Sequence, residues 1–159
     1  RCAPGQSGEI HVRGDQVSGE YLGLATRMTS DGWFPTRDAG ALDADGYLFL
    51  EGRTDDVIVR GGENLSPGEI EEVLLAHPAV ADCAVVGVAD GQWGEAVAAV
   101  IVVHPGRTVS ADELREWVKG RLRSSRTPSR VEFRDELPYN ETGKLLRRKL
   151  RDELARTAS

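Results

Sequence analysis

One lysine of this chain stands in a turn near its C-terminal end, in the stretch NETGK (residues 140–144). The sequence has seventeen Arg and only three Lys, so Lys144 occupies a place where this chain usually has Arg. A lysine ammonium is a compact charge on a flexible stem, whereas the guanidinium of Arg is a planar fork suited to bidentate pairing. Such an ammonium can stabilise negative charge that develops on oxygen atoms during a reaction. The alternative is an ordinary solvated lysine in a polar tail.

A second candidate is the pair Gly61 and Gly62, which ends a short apolar run. Residues without a Cβ atom let the backbone approach a ligand closely, although a simple turn before a helix uses glycine as well. The three histidines, His11, His77 and His104, lie at unrelated spacings without a nearby Cys or acidic cluster. The sequence therefore predicts no metal site.

The composition argues against several classes of function. The formal net charge of −6 disfavours nucleic acid as the main partner. The longest apolar run, AVAAVIVV at residues 96–103, is far shorter than the roughly 20 residues that a membrane span needs. Cys2 and Cys83 are far apart and lack CxxC spacing, which favours free thiols in a reducing compartment.

The charges are distributed unevenly along the chain. Residues 1–103 carry 6 basic and 17 acidic side chains, whereas residues 104–159 carry 14 basic and 9 acidic ones. Such a basic segment is either a solvated face or a surface for a phosphate-rich ligand. The chain has no initiator Met and no apolar segment typical of a secretory signal. We therefore expect it to begin within a longer, cytoplasmic protein, and its Ala- and Arg-rich composition indicates a bacterial source.

The elements that must position the candidate residues divide the chain near residue 55. Residues 1–54 contain two strand-like runs, GEIHVRG and GYLFLEG, separated by a Gly- and Asp-rich stretch that is typical of loops. Two such runs are too few to bury a core of their own. We expect residues 1–54 to be a β-rich remnant of another domain, and residues 55–159 to form a compact domain.

From residue 55 onward, strands and helices alternate. The run DVIVRGG predicts a strand, and Ser66, Pro67 and Glu69 then predict the start of a helix with a capping box. Ser110 and Glu113 repeat that capping pattern at a second helix. With the later runs, the order is βαββαβ followed by a final helix. This order predicts an α+β domain with a sheet of three or more strands and the helices on one face.

Four motifs occur in a fixed order along the chain: GEIHVRG…GEYLG, DGWFPTRDAG, GYLFLEGRTDDVIVRGGENLSPGEIE and LPYNETGKLLRRKL. Together they resemble the C-terminal third of the AMP-forming acyl-CoA synthetases. These enzymes belong to the adenylate-forming superfamily, with the peptide-synthetase adenylation domains and the beetle luciferases. The resemblance covers the chain from Gly8 onward, and the third motif is long and specific. It implies that the phosphate-binding loop and the acid pocket belong to a large N-terminal domain, absent from this sequence.

The resemblance assigns the binding of the nucleotide sugar to two residues. The family Asp that binds the ribose hydroxyls of ATP matches Asp38, and its two acceptor oxygens suit a vicinal diol. An Asp among Gly and Ala residues is otherwise often a turn former. The family Arg that contacts the sugar matches Arg53, whose alternative is a surface ion pair of little energetic value. The family Gly before the ribose-binding Asp is Arg37 here, a departure that affects the local turn.

The resemblance also assigns three positions that serve domain alternation. Asp55 matches the hinge about which the small domain rotates between adenylation and thioester formation, and Asp tolerates unusual φ/ψ values. The alternative is a plain acidic turn at Asp55 and Asp56. Gly61 and Gly62 match the segment that faces the pantetheine tunnel of CoA in the second half-reaction. Lys144 matches the lysine that contacts the acid carboxylate and the α-phosphate during adenylation.

The implied activity is that of an AMP-forming acid–thiol ligase. It would convert a carboxylic acid, expected to be a fatty acid, with ATP and CoA into acyl-CoA, AMP and pyrophosphate through an acyl-adenylate. Mg²⁺ is implied by the phosphate chemistry and would be bound mainly by the N-terminal domain. The alternatives are loading of a carrier-protein thiol, an acyl-AMP ligase, or a noncatalytic interaction module.

The expected macromolecular partner is the missing N-terminal domain, with self-association through exposed strand edges as a consequence of truncation. The chain alone is expected to be inactive, because no concave site surrounds its candidate residues. It should bind ATP with a Kd in the millimolar range or weaker, on the order of −4 kcal/mol.

Overall fold

The computed structural model describes residues 2–18 and 28–157 of the chain. The motif GEYLG, at residues 19–23, lies outside the described residues. The chain divides into two compact units, Arg1–Asp55 and Asp56–Ser159. The assignment of the first unit to the end of a larger domain stays a prediction.

The first unit contains one antiparallel sheet with the strand order β1-β2-β3. Its strands are β1 (Gly8–Val12), β2 (Phe34–Leu42) and β3 (Leu48–Arg53). The central strand β2 lies in the stretch that we expected to be a loop, so that expectation was wrong. Its Gly, Pro and Asp residues imitate a turn signal, but pairing with β1 and β3 gives its backbone hydrogen-bond partners on both sides.

The first unit has almost no apolar core among its described residues. Ala39 is the buried apolar side chain of this part of the chain. Several larger apolar side chains of its sheet are exposed: Val12, Leu42, Tyr47, Leu48, Phe49 and Leu50. Exposed apolar side chains in this number are typical of surfaces that another structural element covers.

The second unit is the α+β domain predicted from the sequence. Its sheet has the path β5-β4-β7-β6, and β8 pairs in parallel with β7. The strands are β4 (Ile58–Arg60), β5 (Glu63–Leu65), β6 (Val80–Asp90), β7 (Gly94–Val103) and β8 (Arg130–Phe133). The helices are α1 (Pro67–Leu75), α2 (Ala111–Lys119) and α3 (Arg147–Thr157). The three-residue strand β5 was not predicted.

The helices of the second unit cover both faces of its sheet, so the expectation that they share one face was wrong. On one face, Val85 of β6 and Ile101 of β7 share a buried cluster with side chains of α1 and α2. On the other face, Val86 and Val100 of the same two strands share a cluster with α3. Successive strand residues point to opposite faces, so a strand that is apolar throughout needs cover on both. The run AVAAVIVV is the sequence signal for this arrangement.

The two predicted capping boxes have different outcomes. At α2, Ser110 Oγ accepts a hydrogen bond from Glu113 N (3.2 Å), and Ser110 N donates to Glu113 Oε2 (2.7 Å). At α1, Ser66 is the N-cap residue but makes no side-chain cap hydrogen bond. The carboxylate of Glu69 instead accepts a hydrogen bond from Arg126 Nε (2.6 Å). A hydrogen bond from the charged Arg126 to this carboxylate is stronger than a hydrogen bond from a neutral backbone N–H at the helix start.

Both cysteines are free, with Cys2 exposed and Cys83 buried. Burial raises the pKa of the Cys83 thiol to about 12. None of the described helices is long and apolar enough to cross a membrane.

The core of the second unit can be tested with two adjacent leucines of α1. Leu74 is fully buried, whereas Leu75 is 47% exposed. We expect Leu74→Ala to lower the free energy of unfolding by about 2–5 kcal/mol, because it removes buried apolar atoms and leaves a cavity. Leu75→Ala should change it by less than about 0.5 kcal/mol. Urea unfolding measures both values, and equal losses would contradict the packing of α1 described above.

Candidate functional site

The two residues assigned to the nucleotide sugar face each other across one pair of strands. Asp38 of β2 and Arg53 of β3 are register partners, and Arg53 Nη1 donates a hydrogen bond to Asp38 Oδ1 at 3.1 Å. Their side chains are 41% and 40% exposed, so a ligand can reach both. Asp38 Oδ2 has no hydrogen-bond partner among the described residues. The pair thus holds the carboxylate in place and leaves one oxygen available as an acceptor.

Asp55 belongs to the same group of charges. Its Oδ2 atom lies 3.0 Å from Arg37 Nη1 and 4.0 Å from Arg53 Nη2. We call the four side chains Arg37, Asp55, Arg53 and Asp38 the hinge charge network, after the hinge role that the sequence predicts for Asp55. Positive and negative groups alternate along it, so each charge has an opposite neighbour. The structure brings together three sequence-predicted residues here, and Arg37 is a member that the sequence did not indicate.

Arg37 has an unusual backbone conformation. Its φ angle is 63°, and it is the one non-glycine residue with positive φ in the described ranges 2–18 and 28–157. The left-handed region costs a residue with a Cβ atom on the order of 1–2 kcal/mol. Two hydrogen bonds hold this backbone: Arg37 N donates to Glu9 Oε1 (3.1 Å), and Thr54 Oγ1 donates to Arg37 O (3.1 Å). These bonds hold a left-handed conformation, which glycine adopts without strain, at an arginine.

Gly61 and Gly62 form the turn of the hairpin that joins β4 to β5. Their φ angles are 58° and 83°, and two consecutive positive values are what a tight two-residue hairpin requires. Gly61 also has no room for a side chain, because a Cβ atom would lie 2.9 Å from the ring of Trp93. The sequence prediction that a strand ends at these glycines agrees with the end of β4 at Arg60.

Charged side chains attach this hairpin to the segment after α2. Arg126 donates to Glu63 Oε1 (2.8 Å) on β5 and to the carboxylate of Glu69 on α1. Arg60 Nη1 at the end of β4 donates to the backbone oxygen of Ser125 (2.6 Å). Hydrogen bonds from the Ser125 and Arg126 side chains lower the pKa of Glu63. The two glycines therefore lie on a backbone that is held from both strands.

The NETGK turn is braced by the side chain of its first residue. Asn140 Oδ1 accepts hydrogen bonds from Thr142 N (3.1 Å), Thr142 Oγ1 (2.8 Å) and Lys144 N (2.7 Å). Asn140 N donates to Lys144 O (2.9 Å), and Gly143, with φ of 76°, completes the turn. The Lys144 side chain is exposed, and its ammonium has no ion pair within the described residues. The backbone of Lys144 is fixed while its ammonium is free to reach a ligand.

Two further contacts anchor the ends of this turn to the domain. Before it, Tyr139 Oη donates to Asp82 Oδ2 (2.8 Å), and partial burial together with this bond raises the pKa of Tyr139 to about 12. After it, Arg147 Nη2 donates to both carboxylate oxygens of Glu71, at 2.6 and 2.5 Å. Sequence analysis missed both contacts, because they join residues that are far apart along the chain.

The candidate residues thus lie in two separate groups. Asp38, Arg53 and Asp55 meet in the first unit, whereas Lys144 and the Gly61–Gly62 hairpin belong to the second. Among the described residues, no group of three or more His, Cys, Asp or Glu side chains could hold a metal ion. The side chains of this described part of the chain therefore do not form a Mg²⁺ site of their own.

The bracing role of Asn140 can be tested on this chain directly. We expect Asn140→Ala to speed hydrogen exchange of the Lys144 amide about tenfold, because it removes an acceptor whose bonds contribute about 0.5–1.5 kcal/mol each. Asn140→Asp keeps an acceptor oxygen and should retain most of the protection. NMR measures these rates, with the Val100 amide of β7 as an internal control for global opening. Unchanged exchange at Lys144 in the Ala variant would contradict the bracing.

Comparison with known proteins places this geometry in a family. Residues 69–144 match the family model described as the AMP-binding enzyme C-terminal domain. A fatty acid–[acyl-carrier-protein] ligase of Streptomyces coeruleorubidus is 44% identical over 152 residues, which are 94% of this chain and 29% of that protein. The chain thus spans less than a third of the length of this curated relative.

Solved structures agree with this match. ATP-bound MatB from Rhodopseudomonas palustris has a TM-score of 0.93 at 33% identity, over 99% of this chain and 32% of that one. The o-succinylbenzoate CoA synthetase MenE from Bacillus subtilis, in complex with its acyl-adenylate intermediate, has a TM-score of 0.87 at 41% identity, over 95% and 31%. The chain therefore belongs to the adenylate-forming superfamily and corresponds to the C-terminal portion of its AMP-forming acyl-CoA synthetases.

Proposed function

We propose that this chain supplies the mobile catalytic portion of an ATP-dependent, AMP-forming acid–thiol ligase. The observation that carries the proposal is the braced NETGK turn, which presents on a fixed backbone a lysine without an ion pair among the described residues. A solvated tail lysine does not need such bracing. A noncatalytic interaction module, the alternative of another class, does not explain it either.

In the first half-reaction, a carboxylate oxygen of the acid attacks the α-phosphorus of ATP. The bond between the α- and β-phosphates breaks, and pyrophosphate leaves with the bonding electrons. Negative charge redistributes over the attacking and non-bridging oxygens in the transition state. The Lys144 ammonium, placed against these oxygens, stabilises that charge without the reorganisation that water would need. Its flexible stem lets it follow the oxygens as the bonds change.

Asp38 and Arg53 would hold the nucleotide in both half-reactions. The free Oδ2 atom of Asp38 can accept a hydrogen bond from a ribose hydroxyl, while Arg53 keeps the carboxylate oriented. Asp55, next to them in the hinge charge network, is the proposed hinge. Its position at the last residue of the first unit supports this role, because rotation there would move the whole second unit.

In the second half-reaction, the sulfur of a thiol attacks the acyl carbon and AMP leaves. The thiol gives up its proton, so the products are a thioester, AMP and H⁺. Gly61 and Gly62 would line the approach of the thiol arm. A Cβ atom at Gly62 would meet nothing within 4 Å, so that side of the backbone is open, whereas the ring of Trp93 occupies the corresponding side of Gly61. CoA is the acceptor that we propose. A carrier-protein thiol is the second candidate, favoured by the name of the Streptomyces relative, and an acyl-AMP ligase would omit this step.

The identity of the acid depends on the pocket of the larger domain. The relatives are named for a fatty acid and for o-succinylbenzoate, so the class that we propose is an organic carboxylic acid, with a fatty acid as one candidate. ATP would bring Mg²⁺ on its phosphates, and the larger domain would hold that ion. The exposed apolar side chains of the first unit would be covered by the same domain, or pair between copies when it is absent. ATP and CoA as substrates favour the cytoplasm.

A hybrid enzyme tests the role of Lys144. In it, this chain replaces the matching C-terminal portion of the Bacillus subtilis o-succinylbenzoate CoA synthetase. We expect Lys144→Ala to slow adenylation about 10²–10³-fold, because one preorganised charge donor is worth about 2.7–4 kcal/mol in a transition state. Thioester formation from supplied acyl-adenylate should remain within about twofold. Pyrophosphate exchange and single-turnover capture by CoA measure the two steps separately.

Lys149→Ala is the matched control, since Lys149 is an exposed lysine on α3 and should not affect either step. Equal losses in both half-reactions of the Lys144 variant would show that this lysine supports the fold instead of the chemistry. A folded hybrid that forms no acyl-adenylate would contradict the proposed function itself.

A further inference from the structure

Arg37 contacts the segment proposed as the hinge through its side chain and its backbone. Its guanidinium lies 3.0 Å from the Asp55 carboxylate. Its backbone oxygen accepts the hydrogen bond of Thr54, the residue directly before Asp55. Its own amide is held by Glu9 of β1. Glycine at this position could make neither the ion pair nor any other side-chain contact.

The left-handed conformation directs this contact. At φ of 63°, Arg37 departs from the regular strand conformation of β2, at the point where the register between β1 and β2 shifts. An arginine is long enough to reach from this irregularity to Asp55. The strain of the conformation is unfavourable unless surrounding contacts hold it, and the contacts to Glu9, Thr54 and Asp55 are those contacts.

Asp55 is also within reach of Arg53, but at 4.0 Å, whereas Arg53 makes its hydrogen bond to Asp38. Arg37 is therefore the principal partner of the Asp55 carboxylate. The Asp55 carboxylate is 54% exposed, so this ion pair is modest and can break during rotation. A contact of this strength restrains a hinge without locking it.

We propose that Arg37, a residue of β2, is a positioning residue that holds the carboxylate of Asp55 against this strand and thereby restrains rotation at the hinge. The inference rests on the proposed role of Asp55 as the hinge residue. Since the contact is ionic and exposed, added salt should weaken it. Removal of this ion pair should change the equilibrium constant between the adenylation conformation and the thioester-forming conformation by about two- to fivefold. This range corresponds to the free energy of exposed ion pairs.

The first experiment uses the whole 159-residue chain and needs no activity. NMR relaxation of the side-chain Nε–Hε group should show Arg37 to be more rigid than Arg107, which has no ion pair among the described residues. Asp55→Asn should bring the mobility of Arg37 up to that of Arg107. The same mobility for both arginines in the unmodified chain would overturn the proposal.

The second experiment uses the hybrid enzyme, after both half-reactions have been measured in its unmodified form. The quantity is the ratio of the adenylation rate to the rate of thioester formation. Arg37→Ala and Arg37→Gly should shift this ratio about two- to fivefold in the same direction, and Arg37→Lys should leave it within 1.5-fold. Raising the salt from 0.05 to 0.5 M should shift this ratio in the same direction for the unmodified hybrid. For the Arg37→Ala variant, the same change in salt should leave the ratio unchanged.

The three substitutions separate charge from backbone strain. Ala removes the charge and keeps the unfavourable φ, Gly removes both, and Lys keeps the charge. A shift in the Gly variant alone would mean that strain and not the ion pair acts on the hinge, and would overturn the inference. An unmodified hybrid without either half-reaction would instead count against the proposed function, and the NMR experiment would still decide the role of Arg37.

Discussion

The second unit depends on one constraint: strands β6 and β7 are apolar on both faces, so both faces must be covered. Their ladder runs from Val80 paired with Val103 to Asp90 paired with Gly94. Helices α1 and α2 cover one face, and α3 covers the other through Leu150 and Leu154. Because α3 begins three residues after Lys144, its docking on the sheet also sets the position of the NETGK turn. Apolar packing at the centre of the domain thus positions the charged group at its surface.

The first unit positions its residues through strand register instead of burial. Pairing of Asp38 with Arg53 across β2 and β3 puts a carboxylate opposite a guanidinium, and the hinge charge network extends from this pair to Asp55. Register determines these positions because a shift of one residue would move each side chain to the other face of the sheet. Only Ala39 of the described apolar side chains is buried in this unit, so its own packing contributes little. The larger domain of the relatives would supply the missing cover.

Local patterns in the sequence predicted the elements that such patterns specify. Ser66 and Ser110 marked the starts of α1 and α2 correctly, but the capping box predicted at α1 does not form, because the distant Arg126 binds the carboxylate of Glu69. The strand β2 could not be recognised locally, because its pairing partners and not its own residues make it a strand. The same holds for the site: the motifs indicated Lys144 and Asp38, but not contacts such as Arg147 with Glu71, which are 76 residues apart. Information about such contacts appears only when the chain is folded.

A residue that works in the active site of another domain meets two opposed requirements. Its side chain must be exposed, so burial cannot position it, and yet catalysis needs a defined geometry. The NETGK turn satisfies both requirements, because Asn140 holds the backbone of Lys144 through side-chain and main-chain hydrogen bonds. Only the four-carbon stem of the lysine remains free, and the role that we propose for it, against the changing charge of phosphate and carboxylate oxygens, requires this freedom. A guanidinium at this position would bring a larger planar group and a preference for a fixed bidentate partner. This difference gives a physical reason for Lys at residue 144 in a chain that otherwise uses Arg.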